Sequence, residues 1–108
     1  METKEVKLPE QGRIAYHLLA LMYREGRIDL SVVYSKLEEK MGITEEQKNL
    51  KYDSGESMWK ARVRAAKHNT LKETGLVRNG KKGVWEITSK GKKKFEEMQK
   101  LGLISLNY

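Results

Sequence analysis

The residues whose side chains are best suited to bind a ligand are basic ones in the stretch MWKARVRAAKHNTLKE, residues 58–73. They are Lys60, Arg62, Arg64, Lys67 and His68, and no carboxylate occurs between Glu56 and Glu73. Lysine is a compact positive charge, whereas arginine presents a planar set of donors that suits phosphates and base edges. No side chain between these two glutamates offsets the positive charge, so the pattern predicts an anionic partner.

A second basic group follows in GLVRNGKKGVWEITSKGKKKF, residues 75–95. Lysines at positions 81 and 82 lie between two glycines, which are typical of the tight turn of a β-hairpin. More lysines follow where a new helix is predicted to start, and a helix N-terminus is itself an anion site. The residues that we predict to contact phosphate are Arg78, Lys81, Lys82, Lys90, Lys92 and Lys93.

The positive charge of the chain is concentrated in its middle. The 108 residues have a formal net charge of +7. Residues 57–94 contain 12 basic and 2 acidic side chains, a net +10, and the remaining residues are slightly acidic. Polyanions are therefore the favoured partners, with nucleic acid first and an anionic membrane surface second.

Several classes of function lack the residues they need. The chain has no cysteine, and its two histidines, His17 and His68, have no acidic neighbour at a metal-ligand or catalytic spacing. No apolar run approaches the roughly 20 residues of a membrane span, and the N-terminus lacks a signal-peptide segment. We therefore predict a cytoplasmic protein that is not an enzyme, binds no metal or small-molecule cofactor and does not enter a membrane.

Apolar spacing predicts the elements that position the basic residues. The first half of the chain is predicted to contain a helix at 11–25 ended by Gly26, a minimal strand at 28–30, a helix capped by Ser31 and ended by Gly42, and a short helix begun by the capping box TEEQ, residues 44–47. The stretch KYDSGES is predicted to be a loop, and a ligand contact there remains open. These helices form the body on which the basic segment packs.

The second half is predicted to contain a helix at about 57–73, a hairpin at about 76–88 and a helix at about 89–101. Ser57 caps the first of these, and Gly75 follows it in the left-handed conformation. Its buried stripe is predicted to be Trp59, Val63, Ala66 and Thr70, and that of the last helix Phe95, Met98 and Leu101. Both tryptophans, Trp59 and Trp85, are interpreted as core residues rather than as stacking platforms for bases.

The element order predicts an α+β fold, a mainly helical winged helix-turn-helix with a small antiparallel β-hairpin wing, and a single domain over residues 1–108. In this architecture the helix before the hairpin enters the major groove and the wing contacts a neighbouring groove or phosphate. We expect Lys60, Arg64 and His68 to face the groove, with Arg62 and Lys67 at its flanks. The predicted partner is double-stranded DNA.

The segment RVRAAKHNTLKETGLVRNGKKGVWEITSKGKKKF resembles the N-terminal winged-helix domain of Mrr-type restriction endonucleases. The matching positions are Arg62 and Val63, Leu71 and Lys72, Gly75 and Leu76, residues 82–85, and Ile87, Thr88 and Gly91. The chain departs from the family pattern in having Ala65 and Ala66 in place of a bulky aromatic and one residue more between Arg62 and Leu71. The resemblance implies a DNA-recognition module of a restriction-modification system, in a family whose related modules sense modified DNA. It implies binding and not cleavage, because the nuclease domain of the family has no counterpart here.

Other functions and contacts remain open at the level of sequence. A winged-helix transcriptional regulator would use the same contacts on a palindromic site. A protein-interaction module would instead bind an acidic protein through the same basic side chains. An RNA-binding domain would prefer structured RNA. The C-terminus LGLISLNY places Leu103, Ile104, Leu106 and Tyr108 close together. It either packs back onto the first helix, forms a homodimer interface or continues into a further domain.

Overall fold

The computed structural model describes residues 6–102, which form helices and three short strands. The elements are α1 Gln11–Glu25, β1 Arg27–Asp29, α2 Leu30–Met41, α3 Glu45–Lys48, α4 Met58–Ala66, a π-helical segment Lys67–Lys72, β2 Val77–Asn79, β3 Val84–Ile87 and α5 Ser89–Lys100. We call Lys67–Lys72 the π segment. This order confirms the α+β class, in which helices predominate and the sheet is small.

The three strands form one antiparallel sheet in the order β1-β3-β2. Ile28 of β1 lies opposite Trp85 of β3, and Arg78 of β2 lies opposite Glu86 on the other side of the same strand. Strands β2 and β3 with their connection, residues 77–87, form the hairpin that we call the wing. Its last strand is central to the sheet, so the wing is joined to the body by hydrogen bonds and not only by its ends.

The core is built around α1, whose apolar residues recur every four positions. Ile14, Leu18 and Met22 are fully buried and form one stripe of the helix. Residues from the other helices pack against this stripe: Val33 and Leu37 of α2, Trp59 and Val63 of α4, and Phe95 of α5. Trp85 is buried with them, which confirms that both tryptophans belong to the core.

Local signals in the sequence explain most of the helix ends. Thr44 and Gln47 form the predicted capping box, and the Ser57 hydroxyl accepts a hydrogen bond of 3.2 Å from the Lys60 backbone N–H. The prediction that Ser31 caps α2 is wrong, because Asp29 is the residue before the helix. The N–H of Leu30 donates to the carbonyl of Gly83 at 2.7 Å, so pairing with the wing fixes where α2 begins.

The helix predicted for residues 57–73 changes its geometry at Lys67. Within the π segment and its end the N–H groups bond five residues back, as from Glu73 to His68 at 3.1 Å. Ala66 and Leu71, five positions apart, are both buried. Thr70, predicted in the buried stripe, is only half-buried, because the wider turn brings Leu71 to the core instead. A π turn holds more residues than an α turn, and it lets both of these residues, Ala66 and Leu71, face the core although they are five positions apart.

Helix α5 closes the domain by packing across α1. The rings of Phe95 and Tyr23 stack with centroids 4.3 Å apart, and the Tyr23 hydroxyl donates to Glu96 at 2.8 Å. The prediction that Leu101 faces inward is wrong: the helix ends at Lys100, and Leu101 is 73 % exposed as its C-cap. The apolar residues after position 102 lie outside the described residues. None of the helices described is both long enough and apolar enough to cross a membrane.

Candidate nucleic-acid interface

Two of the predicted cations lie together on the outer side of α4, next to α2. The ammonium of Lys60 is 5.3 Å from the ring centre of Tyr34, and Arg64 Nη1 donates to the Tyr34 hydroxyl at 3.2 Å. Lys60 is exposed and Arg64 is about half-exposed. Tyr34 therefore positions both cations at the surface, where a ligand can reach them.

Carboxylates at both ends of the helical region offset part of its charge. Glu56, just before α4, forms an ion pair with Arg64 Nη2. Glu73, just after the π segment, has its Oε1 atom 3.5 Å from Nε2 of His68. Exposed pairs of this kind contribute little to stability and are screened by salt. The carboxylates of Glu56 and Glu73 are therefore only weakly held beside Arg64 and His68.

The loop before α4 has a defined shape. Lys51 and Ser57 form an isolated antiparallel bridge, and Tyr52 both donates its N–H to the Glu56 carbonyl and accepts a bond from the Gly55 N–H. Gly55 has φ +89°, a conformation that side-chain-bearing residues rarely adopt. The sequence predicted a loop here but not its closure, which places Glu56 within reach of Arg64.

The two residues predicted at the flanks of the helix face other parts of the protein. Arg62 is half-buried and its Nη1 donates to the Pro9 carbonyl at 3.2 Å. Lys67 is 6 % exposed, its ammonium donates to Asn79 Oδ1, and it lies 4.9 Å from the ring centre of Trp85. Burial, reinforced by the charge of Lys72, lowers the pKa of Lys67. Lys67 therefore joins the π segment to the wing and is turned away from the surface that Lys60 and Arg64 share.

The lysines at the wing tip are fully available to a ligand. Lys81 and Lys82 are exposed, and neither has an ion pair or side-chain hydrogen bond within residues 6–102. The tip is closed by hydrogen bonds of 2.9 Å from the Gly80 N–H to the Val84 carbonyl and from the Val84 N–H to the Lys81 carbonyl. Arg78, at the base of the wing, is paired with Glu86 at 3.1 Å.

The lysines that begin α5 point to two different sides of the molecule. Lys90 lies beside Gly75 and, with Lys94, borders a groove next to α1. Lys92 instead lines a depression on the outer face of the sheet, which it shares with Arg27, Arg78 and Glu86. Positions 90 and 92 are about 200° apart around a helix, so one straight phosphate strand does not pass over both.

The family follows from a sequence comparison. A family profile described as the Mrr N-terminal domain matches residues 12–97. The chain belongs to this family. The match runs from α1 into α5 and includes every predicted contact residue. Comparisons with curated proteins and with solved structures gave no match.

In this Mrr N-terminal domain, two residues of the basic surfaces were not found from the sequence. Tyr34 is one, because its contact with Lys60 and Arg64 depends on how α2 packs against α4. Arg27 is the other, because it meets Lys92 and Arg78 only when β1 pairs with β3. Their residue types were visible in the sequence, but no local pattern placed them near the other cations.

Side chains that often hold metals are dispersed in this Mrr N-terminal domain. No group of three or more histidine, cysteine, aspartate or glutamate residues within positions 6–102 could hold a metal ion. His17 is half-buried on α1, and burial together with the charges of Arg13 and Lys40 lowers its pKa. Most of the predicted basic residues are exposed: Lys60 and His68 on one side, Lys81 and Lys82 at the wing tip, and Arg78, Lys90, Lys92 and Lys93 elsewhere, with Arg64 partly exposed.

Proposed function

We propose that this Mrr N-terminal domain binds double-stranded DNA as the recognition module of a restriction-type system and catalyses no reaction itself. The observation that carries the proposal is the wing tip. Lys81 and Lys82 are exposed there without a partner among the described residues, on a hairpin joined to the same body as α4. A helix and a wing arranged in this way contact neighbouring parts of a duplex.

The proposed contacts divide into two classes. Lys60, Arg64 and His68, which we call the basic face, enter the major groove, where Arg64 has the donors to bind a base edge. Lys81 and Lys82 contact phosphates and carry no sequence information. Glu56 is displaced from Arg64 when the duplex binds, because a base edge or phosphate takes its place.

The outer face of the sheet provides a further phosphate contact. Lys92 and Arg78 line one depression there with Arg27, and Lys93 is exposed on the next position of α5. Lys90 faces the groove beside α1, so in the proposed complex it contributes to the general positive field rather than to the same phosphate. Arg62 and Lys67 support the interface through their contacts inside the protein.

Salt dependence of binding provides the test. The purified chain is titrated against a fluorescent 20-base-pair duplex from about 50 to about 200 mM salt, with unmodified, cytosine-methylated and adenine-methylated versions. We expect binding that weakens steeply as salt rises, because bound phosphates release their counterions. A difference between the duplexes identifies a module that senses base modification.

The wing variant K81A/K82A makes this test specific to the proposed geometry. It is expected to weaken binding equally on all sequences and to reduce the salt slope by about one unit for each lost phosphate contact. The matched control is K7A/K100A, which removes the same charge from exposed positions outside residues 57–94. An equal effect of both variants would assign the binding to net charge alone and remove the wing from the proposal.

The remaining functions are distinguished by the same measurements. Absence of binding at 50 mM salt contradicts the DNA proposal and leaves an acidic protein as the partner. Stronger binding to structured RNA than to a duplex of equal length indicates an RNA-binding domain. A palindromic footprint together with a stable dimer in sedimentation indicates a transcriptional regulator.

A further inference from the structure

The loop before α4 presents an exposed aromatic residue, Tyr52. Its side chain is 48 % exposed and is not among the residues that pack against the core. Within residues 6–102 the ring and hydroxyl of Tyr52 have no hydrogen bond, ring contact or cation contact. A large ring that is left in water gains free energy when a ligand covers it. Tyr52 is therefore available to a partner of the protein.

The backbone around Tyr52 is held in place although its side chain is free. Lys51, the residue before it, forms the antiparallel bridge with Ser57, which caps α4. Tyr52 donates its N–H to the Glu56 carbonyl at 3.0 Å and accepts from the Gly55 N–H at 2.9 Å. A tyrosine on a fixed backbone loses little conformational freedom on binding, which favours its use in recognition.

Glu56 connects this loop to the basic face. Its backbone carbonyl accepts the hydrogen bond from Tyr52, and its carboxylate forms the ion pair with Arg64. The loop also adjoins the N-terminus of α4, and in helix-turn-helix domains the N-terminal residues of the recognition helix contact the base edges. The loop therefore carries Tyr52 to the base edges on the side of Arg64 when α4 lies in the major groove.

The charges of the loop favour a base over a phosphate as the contact of Tyr52. Residues 51–57 have one basic side chain, Lys51, and two acidic ones, Asp53 and Glu56, a net −1. Exposed carboxylates repel phosphate oxygens. In the major groove the apolar group that a base edge presents is the C5-methyl group of thymine, and an apolar surface such as an aromatic ring contacts this group favourably.

We propose that Tyr52 is a specificity-determining residue, whose ring packs against the C5-methyl group of a thymine beside the base edge that Arg64 contacts. The inference rests on the DNA binding proposed above and names a feature of the base that is read. The ring distinguishes thymine from unmodified cytosine, which has no methyl group at this position, whereas the wing lysines contact phosphates that every sequence shares.

Replacement of thymine by uracil tests this contact on the unaltered protein. It removes the methyl group and keeps the donors and acceptors of the base pair. The full chain is titrated against a duplex built only of A·T pairs, so that every register offers methyl groups, and against the same duplex with uracil at every thymine. We expect the thymine duplex to bind about fourfold more tightly for each methyl group covered.

Three variants assign the effect to the ring. Y52A is expected to bind both duplexes with the same, weaker affinity. Y52F keeps the ring and should retain the preference for thymine; a loss equal to that of Y52A would indicate a bond from the hydroxyl to phosphate and overturn the methyl contact. The matched control is Y16A, because Tyr16 is 42 % exposed beside the groove of α1 and α5. It should leave both affinities unchanged, and an effect equal to that of Y52A overturns the inference.

The outcomes separate this inference from the proposed function. A parent protein that binds both duplexes equally, or a Y52A protein that still prefers thymine, overturns the role of Tyr52 and leaves DNA binding in place. Absence of binding to both A·T duplexes at about 50 mM salt overturns it as well. Absence of binding to a duplex of mixed sequence in addition contradicts the proposed function.

Discussion

Lys67 shows how strongly the surroundings of one residue decide its role. Its sequence context, between Ala66 and His68 in a basic helix, indicated a DNA contact. The structure instead buries its aliphatic stem and directs the ammonium to the amide oxygen of Asn79 and the ring of Trp85. No carboxylate within the described residues is paired with it. Burial lowers the pKa of Lys67, and the contacts that bury it with Asn79 and Trp85 join the π segment to both strands of the wing.

Replacement of Lys67 by methionine should change how stability depends on pH. The pKa of Lys67 is lower in the folded state than in the unfolded chain, so the unfolded chain binds the proton more tightly. As pH rises through that lowered pKa toward about 10.4, the value of free lysine, the parent protein therefore gains stability relative to K67M. Urea unfolding of both proteins from pH 7 to 10 measures this difference. A difference for K67M that stays flat or moves in the opposite direction would contradict the lowered pKa.

At the scale of elements, the predictions that were confirmed rest on local signals. The glycines at 26, 42 and 75 end their helices with positive φ, and the capping box at residues 44–47 forms as expected. The errors involve contacts between distant parts of the chain. Ser31 does not cap α2, because pairing with the wing sets the start of that helix at Leu30. Thr70 is not buried, because the π turn places Leu71 in the core instead. Helical periodicity alone cannot reveal a π turn, since the π turn here depends on how Leu71 packs in the core.

Deletion of a single residue from the π segment should be tolerated. Without Asn69, whose side chain is exposed, Leu71 follows Ala66 by four positions, and a regular α-helix keeps both on the core side. We expect cooperative unfolding with a midpoint close to that of the parent. Deletion of Ala61 from α4 is the contrasting variant, because it moves Arg64 into the buried position of Val63 and should cost several kcal/mol. Circular dichroism during heating compares the two, and equal loss of structure would show that the π turn is essential to the fold.

For the whole molecule, the sequence indicated how much positive charge the basic region carries but not how the structure divides that charge. Counting residues located the net +10 in positions 57–94. The structure separates this charge into Lys60 and Arg64 beside α2, the wing tip, and the two sides of α5. Among the described residues of that region, Arg64 and Arg78 are the two arginine or lysine residues with a carboxylate partner. The free protein therefore carries unbalanced repulsion between like charges.

Added salt should stabilise the free protein. The distance over which exposed charges act falls from about 30 Å at 10 mM to about 8 Å at 150 mM ionic strength, so the repulsion within the basic region is screened. We expect the midpoint of thermal unfolding to rise between these two conditions. The variant K81E/K82E, which lowers the charge of the region by four, should show a smaller rise. A midpoint that falls with salt would indicate that attractive ion pairs outweigh the repulsion.

The position of β3 in the middle of the sheet has a consequence for how a duplex would be selected. The wing strand pairs with β1 on one side and with β2 on the other, and Lys67 joins it to the π segment. The distance between the wing tip and α4 is therefore set by the folded body, and changing it would break two strand ladders. In the proposed complex the DNA, and not the protein, changes shape. Sequences whose groove width already matches the distance between the wing tip and α4 would therefore bind with the least deformation of the duplex. The domain would then select a duplex by its shape in addition to its base edges.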